Sequence, residues 1–122
     1  MPAHEEYIES YLRAFRTVHP GEPEPFIEWF NGWFLISTHG RSLVADRYRV
    51  NELLQKRDAM LTRDGKITAH DIIGDFEQAV IAHQMATTTN DKGAIALAKT
   101  ALAYRRDCLE RAFRSRRVRI SF

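Results

Sequence analysis

Apolar positions along this chain recur with two different periods, and the change from one to the other divides it into segments. In residues 4–19, Tyr7, Ile8, Tyr11, Leu12, Phe15 and Val18 repeat at spacings of one, three and four, the stripe of an amphipathic helix. Glu5, Glu6 and Glu9 occupy the first turns, where the helix dipole favours anions, and Pro20-Gly21 supplies a stop. Pro20, Pro23 and Pro25 make residues 20–25 a stiff extended connector, because closely spaced prolines block both helix and sheet pairing. The pattern then changes. Phe26-Ile27-Glu28-Trp29-Phe30 and Trp33-Phe34-Leu35-Ile36 are aromatic and β-branched runs joined by Asn31-Gly32. That dipeptide supplies the two positive φ angles of a type I′ turn, which predicts a β-hairpin over residues 26–37. Both faces of the ribbon are rich in apolar residues, so helices must cover at least one. Residues 41–49 alternate loosely and offer a third strand, with His39-Gly40 as the turn before it.

The second half is helical throughout. Asn51 is the expected N-cap of a helix to about Leu61, with Leu53, Leu54, Arg57, Met60 and Leu61 on its inner side. Arg63-Asp64-Gly65-Lys66 reads as a turn with Gly65 at positive φ. Thr68 and Asp71 form a variant capping box that opens a third helix, whose apolar positions are Ile72, Ile73, Phe76, Ala79, Val80 and Met85. Thr87-Thr88-Thr89-Asn90 ends it, since consecutive β-branched residues are poor helix formers. Asn90 or Asp91 then caps the longest helix, residues 92–116. Ile95, Ala98, Leu102, Leu109 and Phe113 form its main stripe, beside Ala94, Leu97, Ala101, Tyr104 and Cys108. The alanines imply close packing on the third helix. Residues 118–122 alternate with period two, as an edge strand or free arm. The expectation is an α+β fold of about four helices, the last two antiparallel, packed on a small antiparallel sheet. Along the chain this gives a helix at 1–19, a hairpin region at 26–49, a helical region at 51–117 and a tail at 118–122.

Composition places bounds on this picture. At 122 residues the chain is expected to form a single domain, 1–122, and its 44% apolar content is that of an ordinary globular core. Cys108 is the single cysteine, which rules out an internal disulfide and favours a reducing compartment. The opening Met1-Pro2-Ala3-His4-Glu5-Glu6 is acidic where a secretory signal would be basic and then apolar. No apolar run approaches the ~20 residues of a membrane span. A soluble cytoplasmic protein with no membrane partner is expected.

Several chemistries lack their residues. Asp64-Gly65-Lys66-Ile67 imitates the middle of a calcium loop, but the loop's first and third ligand positions fall on Met60 and Thr62. Its bidentate twelfth position falls on the shorter Asp71. His4, His19, His39, His70 and His83 have no zinc spacing, and one cysteine completes no structural zinc pattern. His70, Asp71 and Asp75 lie close on the third helix, where they read most simply as a solvated face with an acidic N-terminal bias. Cys108 lies mid-helix, and no nucleophile elbow or phosphate-cradling glycine loop occurs. The chain is read as non-catalytic, without cofactor or metal.

What rises above this background is charge polarity. Residues 104–122 carry seven arginines against one Asp and one Glu, whereas residues 1–28 carry six glutamates against two arginines. Arg105, Arg106, Arg111, Arg114, Arg116, Arg117 and Arg119 are expected to cover the outer side of the last helix and its exit. Their guanidinium forks pair with carboxylates or phosphates and stack on rings. Three readings fit them: cations favoured by the helix C-terminus and paired with the molecule's own acids, a docking surface for a protein or ribonucleoprotein, or direct nucleic-acid contact. The near-neutral total of +2 and the lack of a groove-reading motif weigh against the last. The hairpin rings, with Trp29 and Trp33 foremost, are a second candidate surface if they face away from the helices. The molecule is expected as a monomer or homodimer.

The order of an amphipathic helix, the Pro20/Pro23/Pro25 connector, Phe30-Asn31-Gly32-Trp33-Phe34-Leu35-Ile36 and Tyr48-Arg49 leading into a helix resembles small phage- or mobile-element-encoded accessory proteins. It covers roughly the first sixty residues. The resemblance implies a stoichiometric binder that occludes a host complex, such as an anti-CRISPR-like inhibitor of a bacterial defence system. It carries over no functional residue.

Overall fold

The computed structural model describes residues 3–37, 45–65 and 67–114, apart from the side chain at 113. They form four helices and one three-stranded antiparallel sheet, an α+β architecture. Their contacts group into two compact units, residues 1–66 and 67–122.

The first unit opens with α1, Ala3–Val18, which ends as the sequence predicts, with Gly21 at φ +80° beyond it. The strands β1 (Phe26–Phe30) and β2 (Trp33–Ser37) form the predicted hairpin, with Asn31 and Gly32 at φ +48° and +82°. A short third strand, β3 (Asp46–Tyr48), pairs with β2 and completes the order β1-β2-β3. The preceding turn expected at His39-Gly40 lies outside the described residues.

The register assigns every side chain to a face. Trp29 pairs with Phe34 and Phe34 with Tyr48, so these three share one face. Phe30 pairs with Trp33 and Glu28 with Leu35, which places the alternate set, including Phe26, on the other. The next helix, α2, spans Val50–Arg63. It packs with α1 on the Trp29–Phe34 face. His4 and Tyr7 of α1 touch Trp29 and Phe34 respectively, and Lys56 of α2 lies over Tyr48. Phe34 and Leu53 are wholly buried between these layers, with Tyr11, Ile36, Val50 and Leu54 around them. The helices do not sandwich the ribbon within this unit; both lie on one face.

The cap of α2 departs from expectation. Asn51 lies inside the helix and Arg49 is the N-cap residue. Glu52 reaches back to accept the Arg49 backbone N–H at 3.0 Å, and the Arg49 carbonyl accepts from Leu53 N–H at 2.9 Å. Val50, 3% exposed, is thereby drawn into the core as the first helical residue.

The second unit is an antiparallel helical hairpin of α3 (Ala69–Thr87) and α4 (Lys92–Arg114). The Thr68/Asp71 box forms as the sequence predicts: Asp71 N–H donates to Thr68 Oγ1 at 3.2 Å, and Thr68 N–H to Asp71 Oδ2 at 2.8 Å. The turn carries Asn90 at φ +59°, and Asp91 Oδ1 caps α4 through Gly93 N–H at 3.0 Å and Ala94 N–H at 3.2 Å. Its buried apolar residues are all alanines, Ala86, Ala98, Ala101 and Ala112 among the described residues. No described helix is long and apolar enough to cross a membrane.

Candidate interaction surfaces

In the first unit the sheet face opposite α1 and α2 carries two large exposed rings, Phe26 and Phe30, with relative exposures of 55% and 62%. Trp33 stands beside Phe30 across the strands, with the Arg49 guanidinium 3.7 Å from its ring centroid and that of Arg47 at 4.9 Å. A guanidinium over an indole face is attracted by the ring quadrupole and held flat by it. Arg49 is fixed further by donating from Nη1 to the Gly32 carbonyl at 3.0 Å, which ties the edge of β3 to the hairpin turn. A Cβ at position 32 would stand 3.0 Å from that nitrogen, so the absence of a side chain lets the guanidinium reach the turn. Among the described residues no carboxylate lies within ion-pair distance of Arg47 or Arg49. The result is a flat aromatic strip with a cationic border.

Trp29 does not belong to this surface. It stacks on His4 at 5.5 Å and tilts against Phe34 at 4.7 Å, on the face that the helices cover. Strict alternation from Phe26 puts Trp29 inside and Phe26, Phe30 and Trp33 outside. That is the signal by which the strip could have been drawn from sequence. The roles of Arg47 and Arg49 required the β2–β3 register, which no local motif announces.

The arginines of the last helix divide. Arg105, expected on the outer side, is 8% exposed and faces α3, with Nη1 3.8 Å from Asp75 Oδ2 and its guanidinium 5.3 Å from the Tyr104 ring centroid. Its spacing of four from Ala101 and seven from Ala98 puts it in the alanine seam, where the carboxylate across the seam offsets part of the cost of burying the charge. Arg106, Arg111 and Arg114 are exposed. Arg114 pairs with Glu110 one turn back at 3.3 Å. Arg111 donates to the Asp107 carbonyl at 3.3 Å and contacts Cys108 Sγ at 3.5 Å. Arg116, Arg117 and Arg119 lie outside the described residues.

Several acids elsewhere are also engaged. Asp71 serves the α3 cap and Asp75 faces Arg105, so the i, i+4 carboxylates of α3 have separate structural tasks. Arg16 on α1 pairs with Glu24 and, at 3.1 Å, with Glu9, and hydrogen bonding to Glu24 first and Glu9 second raises its already high pKa. Burial pushes the Tyr11 hydroxyl above its usual pKa of 10.0, helped by Tyr48 nearby. Among the described residues no three His, Cys, Asp or Glu side chains converge as a metal site would require.

No protein-family model matches the chain, and neither the curated proteins nor the solved structures contain a match to it.

Proposed function

We propose that this chain is a non-catalytic binding protein whose open sheet face docks on a protein or ribonucleoprotein partner and occludes it. The observation that supports this is the strip itself: Phe26 and Phe30 more than half exposed, beside a Trp33 held between turn and strand by Arg47 and Arg49. Aromatic residues and arginine are the side chains that dominate interface energetics, and a preordered strip loses little entropy on docking. A protein surface suits it better than a nucleic-acid backbone, because residues 1–66 hold nine Lys and Arg against ten Asp and Glu. The likeness to phage-encoded accessory proteins extends the reading to an inhibitor of a bacterial defence complex of the anti-CRISPR kind, acting in the cytoplasm. That extension rests on the likeness alone.

The test is a photo-crosslinking amino acid at position 30, with the same probe at Glu6 on the outer side of α1 as control. One defined protein should be captured from position 30 and not from position 6. Its purified form should then bind the chain in salt-tolerant fashion and lose affinity on Phe30→Ser. Equal, unselective labelling from both positions would overturn the reading.

A second reading, direct nucleic-acid binding by the last helix, is favoured by the exposure of Arg106, Arg111 and Arg114. It expects retention on DNA that falls steeply with salt and weakens on Arg111→Ala with Arg114→Ala.

A further inference from the structure

The α3–α4 hairpin presents a second surface, independent of the sheet. Two stripes run along α3. Ile72, Asp75, Ala79, Ala82 and Ala86 repeat at three and four and face α4, as the buried Ala86 and the Asp75–Arg105 contact show. Ile73, Phe76, Val80 and His83 repeat at the same spacing one position on, and so lie about 100° round the helix. On α4, Ile95, Leu102 and Leu109 recur every seven residues, each displaced from the seam residues Ala98, Arg105 and Ala112 by three. In an antiparallel pair of right-handed helices these two displaced stripes fall on the same side of the hairpin. Together they make one apolar face of Ile73, Phe76, Val80, Ile95, Leu102 and Leu109, all only half-buried.

A lone helical hairpin has one seam and buries one stripe per helix. A second heptad-spaced stripe on each helix is the requirement of a bundle, in which every helix meets two neighbours. The charges identify what supplies the other two helices. Between Ala69 and Thr87, α3 has Asp71, Asp75 and Glu77 and no Lys or Arg. Between Lys92 and Arg114, α4 has six Lys and Arg against Asp107 and Glu110. Glu77 borders the apolar face on α3, four residues from Ile73 and three from Val80. Lys99 and Arg106 border it on α4, each four residues after a stripe residue and three before the next. With an acidic border on α3 and a basic border on α4, the face is self-complementary under a twofold axis parallel to the helices, which sets each α3 against the α4 of the other copy.

We infer that the α3–α4 hairpin pairs with that of a second copy of this chain through the Ile73–Phe76–Val80 and Ile95–Leu102–Leu109 face, forming a four-helix bundle. The inference does not depend on the sheet surface or on its partner.

Multi-angle light scattering of the full chain over a range of concentrations tests it. The expected mass is twice the 14.2 kDa of one chain at the higher concentrations. Val80→Lys should raise the dissociation constant about tenfold or more while leaving the helical circular dichroism unchanged. Glu77→Lys, on an exposed position that does not endanger folding, should weaken the dimer, and Glu77→Lys combined with Arg106→Glu should recover it. A single-chain mass at every concentration would overturn the inference. So would a dimer that ignores Val80→Lys and dissociates on Phe30→Ser, which would place the contact on the sheet.

Discussion

The two units of this chain solve the problem of burial in opposite ways. In residues 1–66 the interior is made of large side chains: Phe34 and Leu53 have no exposed surface, and Ile36, Val50, Leu54 and Tyr11 are 3–6% exposed. In residues 67–122 the buried positions among those described are four alanines and Arg105, while Phe76, Val80 and Leu102 stay half-covered. The first arrangement draws its stability from apolar area removed from water; the second draws on close helix approach and on the Arg105–Asp75 contact in its seam. The pairing of hairpins proposed above would complete the packing of this second unit.

The contrast can be broken by substitution. Phe34→Ala should cause the largest effect, a loss of about 3–5 kcal/mol, because it opens a cavity where no neighbour can collapse. Denaturant unfolding followed by tryptophan fluorescence is the suitable measurement, since both tryptophans, Trp29 and Trp33, belong to the first unit. Arg105→Ala should be smaller, about 1–2 kcal/mol, since the Asp75 side chain facing it keeps 31% of its surface in water. Arg105→Met, which retains the packing stem, should lose less, and helical circular dichroism reads both. If Arg105→Ala shifted the fluorescence transition as far as Phe34→Ala does, the contrast between the units would fail. The smallest effect is confined to alkaline pH. Because the folded-state pKa of Tyr11 is raised, its contribution is intact below the unfolded value of 10.0 and is lost as pH rises above it. Tyr11→Phe should flatten that decline relative to the parent protein in thermal melts run across this range.

Local chemistry is legible from the sequence wherever neighbouring residues decide the outcome. Asn31-Gly32 specifies both the turn and the hairpin register, Thr68 and Asp71 the cap, and the alanines the helical hairpin. The features that stay hidden depend on reach or on residues distant in sequence. Glu52 moves the start of α2 from the expected Asn51 to Arg49 because a long carboxylate can reach a backbone N–H three residues back. By charge alone, Arg105 belongs to an exterior cluster. Its place in the Ala98–Ala101–Ala112 register, with Asp75 in the matching stripe of α3, identifies it as interior. Trp29 and Trp33 are equivalent by composition, and the parity of one strand separates them.

The Arg105–Asp75 contact also governs alignment. Alanine against alanine is nearly indifferent to sliding, since each methyl meets much the same neighbour one turn further on. A slip of α4 by one turn, about 5.4 Å, toward Ala79 would leave the guanidinium opposite methyl groups and draw it away from Asp75. The pair therefore works as an indexing pin, fixing which turn of one helix lies beside which turn of the other and, through that, where every outward-facing group of the hairpin is displayed.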